Sequence, residues 1–166
     1  GTLTDSNRID MNLWRTLYFQ LQTSWVKAVA NPLPAITSVN TTIKNNSGDT
    51  ILIPLLIGNY NTVKSNAFSS NLLSYNTSMK QVYDVPGRQQ SPYNLNILFA
   101  ACPLQKQTIE GTETFIIKSN SIWNNTGKSI NSIQIDFADG GGFRSINIGS
   151  PLTVSYADTG YKRWTI

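Results

Sequence analysis

Apolar residues in the first thirty positions recur with the period of an α-helix. They lie four positions apart, or widen that same stripe, and are Ile9, Leu13, Trp14, Leu17, Tyr18, Leu21 and Trp25. This spacing places them on one helix face, so it predicts an amphipathic helix over residues 9–28. Asp5 or Ser6 is a candidate for its N-cap, and the prolines of residues 31–34 end it. Residues 36–43 fit either a weak strand or a short helix.

Two apolar runs, residues 50–57 and 96–101, are bounded by turn-forming residues and predict buried strands. Pro54 lies inside the first run and indicates an edge position or a bulge, because proline cannot donate to a β-ladder. Residues 59–75 are rich in Ser and Asn and predict an irregular segment. Residues 85–88 read Val-Pro-Gly-Arg, which predicts a type II turn.

The last third of the chain has strand-like segments every 8 to 12 residues, separated by Gly and Asn. The predicted strands are residues 112–118, 130–137, 143–148, 152–156 and 161–166. In the second of these, Ile133, Ile135 and Phe137 alternate with polar residues and mark one buried face. Such spacing is typical of a β-sandwich. The fold class expected is therefore mainly β, with an α+β part at residues 1–108 and a sandwich at residues 109–166.

The composition limits the cellular location and the kinds of binding that can be expected of this chain. Only 13% of the 166 residues are charged, the net charge is +4, and no apolar run has the roughly 18 residues of a membrane-spanning helix. A polar but uncharged surface favours an exported β-protein. The basic residues are scattered, which argues against nucleic-acid binding. The only cysteine, Cys102, lies in an apolar run and is expected to be a buried hydrophobe.

The chain begins with Gly1 rather than Met and stops in mid-alternation at Ile166. We expect an excised fragment of a longer protein whose signal peptide has been removed.

The chain has no histidine, which excludes histidine-based acid–base catalysis and the usual zinc sites. Asp136 and Asp139 form the tightest acidic pair. They are expected to accept backbone N–H groups in a turn whose glycines supply positive φ. The alternatives are calcium ligation and a catalytic carboxylate pair. Asp84 is expected to pair with Arg88 and order a loop rather than act as a catalytic acid.

Exposed aromatic rings would allow carbohydrate binding. Trp123 borders the predicted turn at residues 124–127, and Tyr60, Tyr75 and Tyr93 lie in polar segments. These four are the candidate ligand-binding residues. The other tryptophans, Trp14, Trp25 and Trp164, occupy apolar positions of periodic segments and are expected in the core.

Residues 135–140 read Ile-Asp-Phe-Ala-Asp-Gly, which resembles the Trp-Asp-Phe-Gly-Asp-Gly hallmark of polycystic-kidney-disease (PKD) repeats. Tyr156, Gly160 and the alternating apolar residues that follow fit the second half of that signature. The shared positions are Asp136, Phe137, Asp139, Gly140, Tyr156 and Gly160. The resemblance implies an immunoglobulin-type sandwich over about residues 110–166. The chain departs from the family at three positions: it has Ile135, Val154 and Lys162 where the family has Trp, His and Tyr.

More loosely, the whole chain is similar to the N-terminal regions of large secreted proteins of gliding Gram-negative bacteria. The similar segments are residues 85–88, 91–93, 99–104 and 136–140. This resemblance implies a secreted or cell-surface scaffold or adhesion-type module.

We therefore expect a non-catalytic structural or interaction module of an exported bacterial protein, with no cofactor unless calcium binds. Its partners would be neighbouring domains of the same polypeptide, or a surface polysaccharide or protein. The alternative is a carbohydrate-binding module of a larger polysaccharide-active protein, and a carboxylate-based hydrolase ranks third. Neither nucleic-acid binding nor membrane insertion is expected.

Overall fold

The protein is described by a computed structural model that covers residues 7–24, 31–46, 49–104 and 111–166. The described chain is mainly β, as the sequence predicts, and it contains two helices where the sequence predicts one. The helices are α1 (Met11–Thr23) and α2 (Ile36–Asn46). The strands are β1 (Ile51–Leu52), β2 (Leu55–Val63), β3 (Leu73–Asn76), β4 (Gln81–Asp84), β5 (Tyr93–Ala101), β6 (Gly111–Ile116), β7 (Ile122–Asn124), β8 (Gln134–Asp136), β9 (Phe143–Ser145) and β10 (Leu152–Tyr156). No helix in these ranges is long and apolar enough to span a bilayer.

Helix α1 is shorter than the predicted helix over residues 9–28. Its N-cap is Asp10, whose Oδ1 accepts the backbone N–H groups of Asn12 at 2.9 Å and Leu13 at 2.8 Å. Ser24 is the C-cap, so the helix ends at Thr23. The candidate caps Asp5 and Ser6, and the predicted helical residues 25–28, lie outside the described residues.

The buried face of α1 is rotated from the predicted stripe. It consists of Met11, Trp14, Tyr18 and Leu21, whereas Leu13 is 42% exposed. Residues 36–43, for which strand and helix both remained open, belong to helix α2, whose Val39 and Ile43 are buried. Arg15 Nε donates to Asn40 Oδ1 at 3.1 Å and joins the two helices.

The predicted strand over residues 50–57 is two strands in two sheets. One three-stranded sheet has the order β1-β6-β10 and the other has the order β5-β2-β7. The strand is interrupted at Ile53 and Pro54, because proline has no backbone N–H to donate to a β-ladder. Strand β1 pairs in parallel with β6, and β2 pairs in parallel with β7. The chain that contains β6 and β7 also passes from one sheet to the other, through a 3₁₀ turn at Ser119–Ser121.

The main hydrophobic core is built from alternating residues of these strands and of the last third of the chain. Its buried members are Ile51, Ile53, Leu55, Phe115, Ile117, Ile133, Ile135, Phe137, Ile146, Val154 and Tyr156. Phe115 stacks on Phe137 with centroids 4.9 Å apart, and Trp164 packs edge-on against both rings at 4.5 and 5.0 Å. The predicted buried face of Ile133, Ile135 and Phe137 is confirmed.

The last third of the chain contains less β-strand pairing than the sequence predicts. The strands expected over residues 130–137 and 143–148 shorten to three residues each, β8 and β9. The strand expected over residues 161–166 is reduced to one bridge, between Asp136 and Thr165. Asp side chains bond nearby backbone N–H groups in the β8–β9 turn, and such local bonds compete with ladder formation.

The chain forms two compact units, Gly1–Gly58 with Phe99–Ile166 (unit 1) and Asn59–Leu98 (unit 2). The domain boundary predicted between residues 108 and 109 lies outside the described residues and stays a prediction. Strands β2 and β5 both run through the unit boundary. Unit 2 contains the antiparallel β3–β4 hairpin. Its first residues extend β2 to Val63, where the sequence predicts an irregular segment.

Candidate functional site

Exposed apolar side chains are concentrated in unit 2. Among the described residues, fifteen large apolar side chains are exposed, and nine of these lie between residues 59 and 98. The nine are Tyr60, Val63, Phe68, Tyr75, Met79, Val82, Tyr83, Leu95 and Ile97. The buried apolar residues of unit 2 are small in number by comparison, with Ala67, Leu72 and Leu73 the principal ones. Contiguous exposed apolar patches mark interaction sites, whereas single exposed apolar side chains are ordinary, so the faces that these residues share matter.

The β3–β4 hairpin presents aromatic rings on both of its faces. Tyr75 lies opposite Val82 and Ser74 lies opposite Tyr83 in the strand register. Residues directly opposite one another share a face and successive residues alternate, so Tyr75 and Tyr83 point to opposite sides. Tyr83 Oη donates to Gln81 Oε1 at 2.5 Å. The hairpin therefore offers single rings, not a coplanar pair.

The β2 and β5 segments of unit 2 carry an apolar sheet face. Asn96 Nδ2 donates to Thr62 Oγ1 at 3.0 Å, which places these two side chains on one face. Strand alternation then puts Val63, Leu95 and Ile97 on the other face. They are 52%, 67% and 59% exposed, respectively. The sequence-based expectation that residues 96–101 form a buried strand is wrong for this face.

The loop after β4 borders a shallow concavity of about 600 Å³ that is open to solvent, here called the loop bowl. It is lined by Asp84, Val85, Pro86, Gly87, Arg88, Gln89, Gln90 and Ser91. The turn predicted at residues 85–88 is confirmed: Arg88 N–H reaches the Val85 carbonyl at 3.4 Å, and Gly87 has φ of 73°. A type II turn requires a positive φ at that position.

Charge in the loop bowl is confined to one ion pair. Arg88 Nη1 lies 2.9 Å from Asp84 Oδ1, as the sequence predicts. Tyr93 Oη donates to the same carboxylate oxygen at 3.5 Å. Because both side chains are partly exposed, the pair contributes little to stability. Among the described residues, Arg88 makes no other side-chain hydrogen bond, so its remaining N–H groups are available to a ligand.

The four predicted ligand-binding aromatics do not form one site. Trp123 is only 6% exposed, so its expected exposure is wrong. It packs edge-on against Trp14 at 5.3 Å and Tyr18 at 5.9 Å. The cause is the pairing of β7 with β2, which sets Trp123 opposite the fully buried Leu56. Tyr60 and Tyr75 are exposed as expected.

The remaining aromatic predictions have mixed outcomes. Tyr93 is half-buried at the start of β5. Trp14 is fully buried, as expected, and its Nε1–H donates to the Ala100 carbonyl at 3.2 Å. Trp164 packs on the core while partly exposed. The prediction for Trp25 lies outside the described residues.

Asp136 and Asp139 make turn contacts. Asp136 Oδ1 accepts the Ala138 N–H at 2.9 Å, and Asp139 Oδ1 accepts the Gly141 N–H at 3.0 Å. Asp139 Oδ2 lies 2.6 Å from Arg144 Nη2. The Gly141 N–H bond and, next, Arg144 lower the pKa of the Asp139 carboxyl against the opposing effect of its burial. These contacts are those expected of the turn role.

Few carboxylate oxygens at this turn are free to bind a cation. Both Asp139 oxygens are engaged and the Arg144 guanidinium is adjacent. Within the described ranges, no three Asp, Glu or Cys residues are grouped to hold a metal. The calcium site at Asp136 and Asp139 stays a prediction, as does their use as a catalytic pair.

Phe137 and Tyr156, which lie in separate segments of the last third of the chain, meet in the core. Tyr156 Oη donates to the Phe137 carbonyl at 3.3 Å, and burial raises the pKa of this tyrosine. Gly140 and Gly160 have φ of 87° and 127°, conformations that favour glycine.

Sequence reasoning missed four candidate contact residues, which are Val63, Tyr83, Leu95 and Ile97. The available signal is the alternation in Leu95-Asn96-Ile97, which is typical of a strand with one apolar face. Whether that face is covered is not encoded locally.

Comparison of the chain with protein-family models, with curated proteins and with solved structures finds no match to any of them.

Proposed function

We propose that this chain is a non-catalytic structural or interaction module of an exported or cell-surface bacterial protein. Unit 1 provides the folded framework, and unit 2 carries the contacts. The observation that supports this most directly is the concentration of nine exposed large apolar side chains in unit 2. Aromatic residues and Met are enriched at protein interfaces, and unit 2 exposes Tyr60, Tyr75, Tyr83 and Met79.

We also propose that residues 109–166 form a PKD-like sandwich. Three features support it: the Asp-Phe-Ala-Asp-Gly turn, the Tyr156 bond to the Phe137 carbonyl, and the stacked Phe115–Phe137 pair. The low proportion of charged residues, 13%, supports an exported location.

The function is tested by measuring saturable binding of the purified chain to immobilised bacterial surface proteins and to insoluble polysaccharides. Binding is expected to be lost in the double variant Tyr75→Ser, Val82→Thr, which changes one face of the hairpin. The matched control is Phe143→Ser, because Phe143 is an exposed aromatic of unit 1. Absence of saturable binding to both surfaces, or release of soluble sugar from a polysaccharide, would contradict the proposal.

A carbohydrate-binding module is the second candidate. The loop bowl favours it, since its polar lining contains an ion pair with unused donors and acceptors, and Tyr93 contacts that pair. A carboxylate-based hydrolase ranks third, because among the described residues two of its candidate carboxylates are already paired, Asp84 with Arg88 and Asp139 with Arg144.

A further inference from the structure

We infer that the loop bowl is a binding site for a neutral polyhydroxyl ligand, that is, one or more uncharged sugar units. This inference rests on the carbohydrate-binding candidate above and assigns its site. The bowl is open to solvent and its lining is mostly polar, so a ligand there is held by hydrogen bonds rather than by apolar burial.

The loop is held in shape by its own hydrogen bonds. Gln89 Nε2 donates to the Gly87 carbonyl at 3.0 Å, and the Tyr93 N–H donates to Ser91 Oγ at 3.1 Å. Together with the turn at Gly87, these bonds fix both ends and the middle of the loop. A preformed site costs less ordering entropy when a ligand binds. At Gly87 the space on the Cβ side is open, with no atom within 4 Å.

The charge distribution selects the ligand class. The lining contains one Asp and one Arg, which already neutralise each other at 2.9 Å. The Asp84 carboxylate repels an anionic ligand that approaches Arg88, and the Arg88 guanidinium repels a cationic ligand that approaches Asp84. A neutral ligand leaves the pair intact.

The hydroxyl groups of a sugar can form hydrogen bonds with the donors and acceptors of the ion pair that are not already engaged. Each hydroxyl both donates and accepts, so neighbouring hydroxyls can bond the free guanidinium N–H groups of Arg88 and the free Oδ2 of Asp84 together. Hydrogen bonds to charged groups are stronger than those between neutral groups. The side-chain amide of Gln90 adds a further donor and acceptor in the lining.

The test is calorimetric titration of the whole chain with cellohexaose, laminarihexaose and mannohexaose, and with hyaluronate as an anionic probe. At least one neutral oligosaccharide is expected to bind. Arg88→Ala should weaken that binding about tenfold or more, the loss typical of a hydrogen bond to a charged group. Arg88→Lys keeps the charge but loses the planar fork, so it should also weaken binding.

Asp158→Asn is the matched control. Asp158 also forms an ion pair with a basic residue four positions on, Lys162, at 2.6 Å, but it lies in unit 1. Its removal should leave the affinity unchanged. Near-ultraviolet circular dichroism of each variant shows whether the fold is kept. If Arg88→Ala does not fold, Arg88→Lys and Asp84→Asn decide the question.

The outcomes separate the site from the function. Binding of a neutral oligosaccharide that is unaffected by any change at Arg88 or Asp84 overturns the site while carbohydrate binding stands. No binding of any neutral oligosaccharide overturns both. Binding of hyaluronate alone, lost in Arg88→Ala, overturns the assigned ligand class.

Discussion

At the scale of single residues, Asp139 and Arg144 show how one side chain organises a turn. Asp139 accepts from the backbone N–H of Gly141 and from the guanidinium group of Arg144. That guanidinium also lies 5.3 Å from the centroid of the buried Phe137 ring. The pair thus ties the turn between β8 and β9 to the aromatic core.

We predict that Asp139→Asn lowers the free energy of unfolding at pH 7 by about 1 kcal/mol, the usual contribution of such a hydrogen bond. Because the pKa of Asp139 is lowered in the native state, its contribution is present above the ordinary aspartate pKa of about 3.9 and is lost as pH falls through the native pKa. The variant and the wild type should therefore converge in urea unfolding at strongly acidic pH. A difference that persists or grows under acid would contradict this explanation.

At the scale of elements, two chain segments run side by side through both three-stranded sheets. Strands β1 and β2 form one segment, and β6 and β7 form the other, in parallel. Next to them α1 approaches closely at Gly58, where an added Cβ would lie 2.0 Å from Leu21 Cδ2. The absence of a side chain at Gly58 therefore makes room for the buried face of α1.

We predict that Gly58→Ala destabilises the protein by about 1–3 kcal/mol, the range for overpacking a core. The double variant Gly58→Ala, Leu21→Ala should lose less stability than the sum of the two single changes, since the truncated Leu21 removes the clash. Chemical denaturation of all four proteins in the cycle measures this coupling. Strict additivity would show that the close approach is not the cause.

At the scale of the whole molecule, unit 1 and unit 2 differ in how they use apolar residues. Unit 1 contains the large buried cluster, whereas unit 2 exposes most of its large apolar side chains. Such exposure is costly in a protein that has no partner, because exposed apolar surface promotes association. The difference is the physical basis for assigning contacts to unit 2.

We predict that the triple variant Val63→Thr, Leu95→Thr, Ile97→Thr keeps the stability of the wild type within about 0.5 kcal/mol per site, as is usual for surface changes. Threonine also retains high β-propensity. The variant should bind less of the dye ANS and associate less in sedimentation velocity at high concentration. Cooperative destabilisation by several kcal/mol would show that this face is part of a core.

Local features of the chain were predictable from sequence. The turn at Gly87, the Asp84–Arg88 pair and the buried face of Ile133, Ile135 and Phe137 depend on residues close together in the chain. The loop bowl was only partly predictable, because its turn and ion pair were expected but its concave shape was not. The prediction failed for Trp123, whose position beside a turn suggested exposure.

The sequence by itself determined the mainly β class, the local turns and the exclusion of histidine chemistry, since these follow from residue types and short-range geometry. The tertiary structure decided the rest. Pairing of β7 with β2 buried Trp123, the break at Pro54 sent one apolar run into two sheets, and one face of β5 was left uncovered. The physical reason is that an apolar stripe has the same pattern whether or not another element covers it. Burial depends on pairings between residues far apart in the chain.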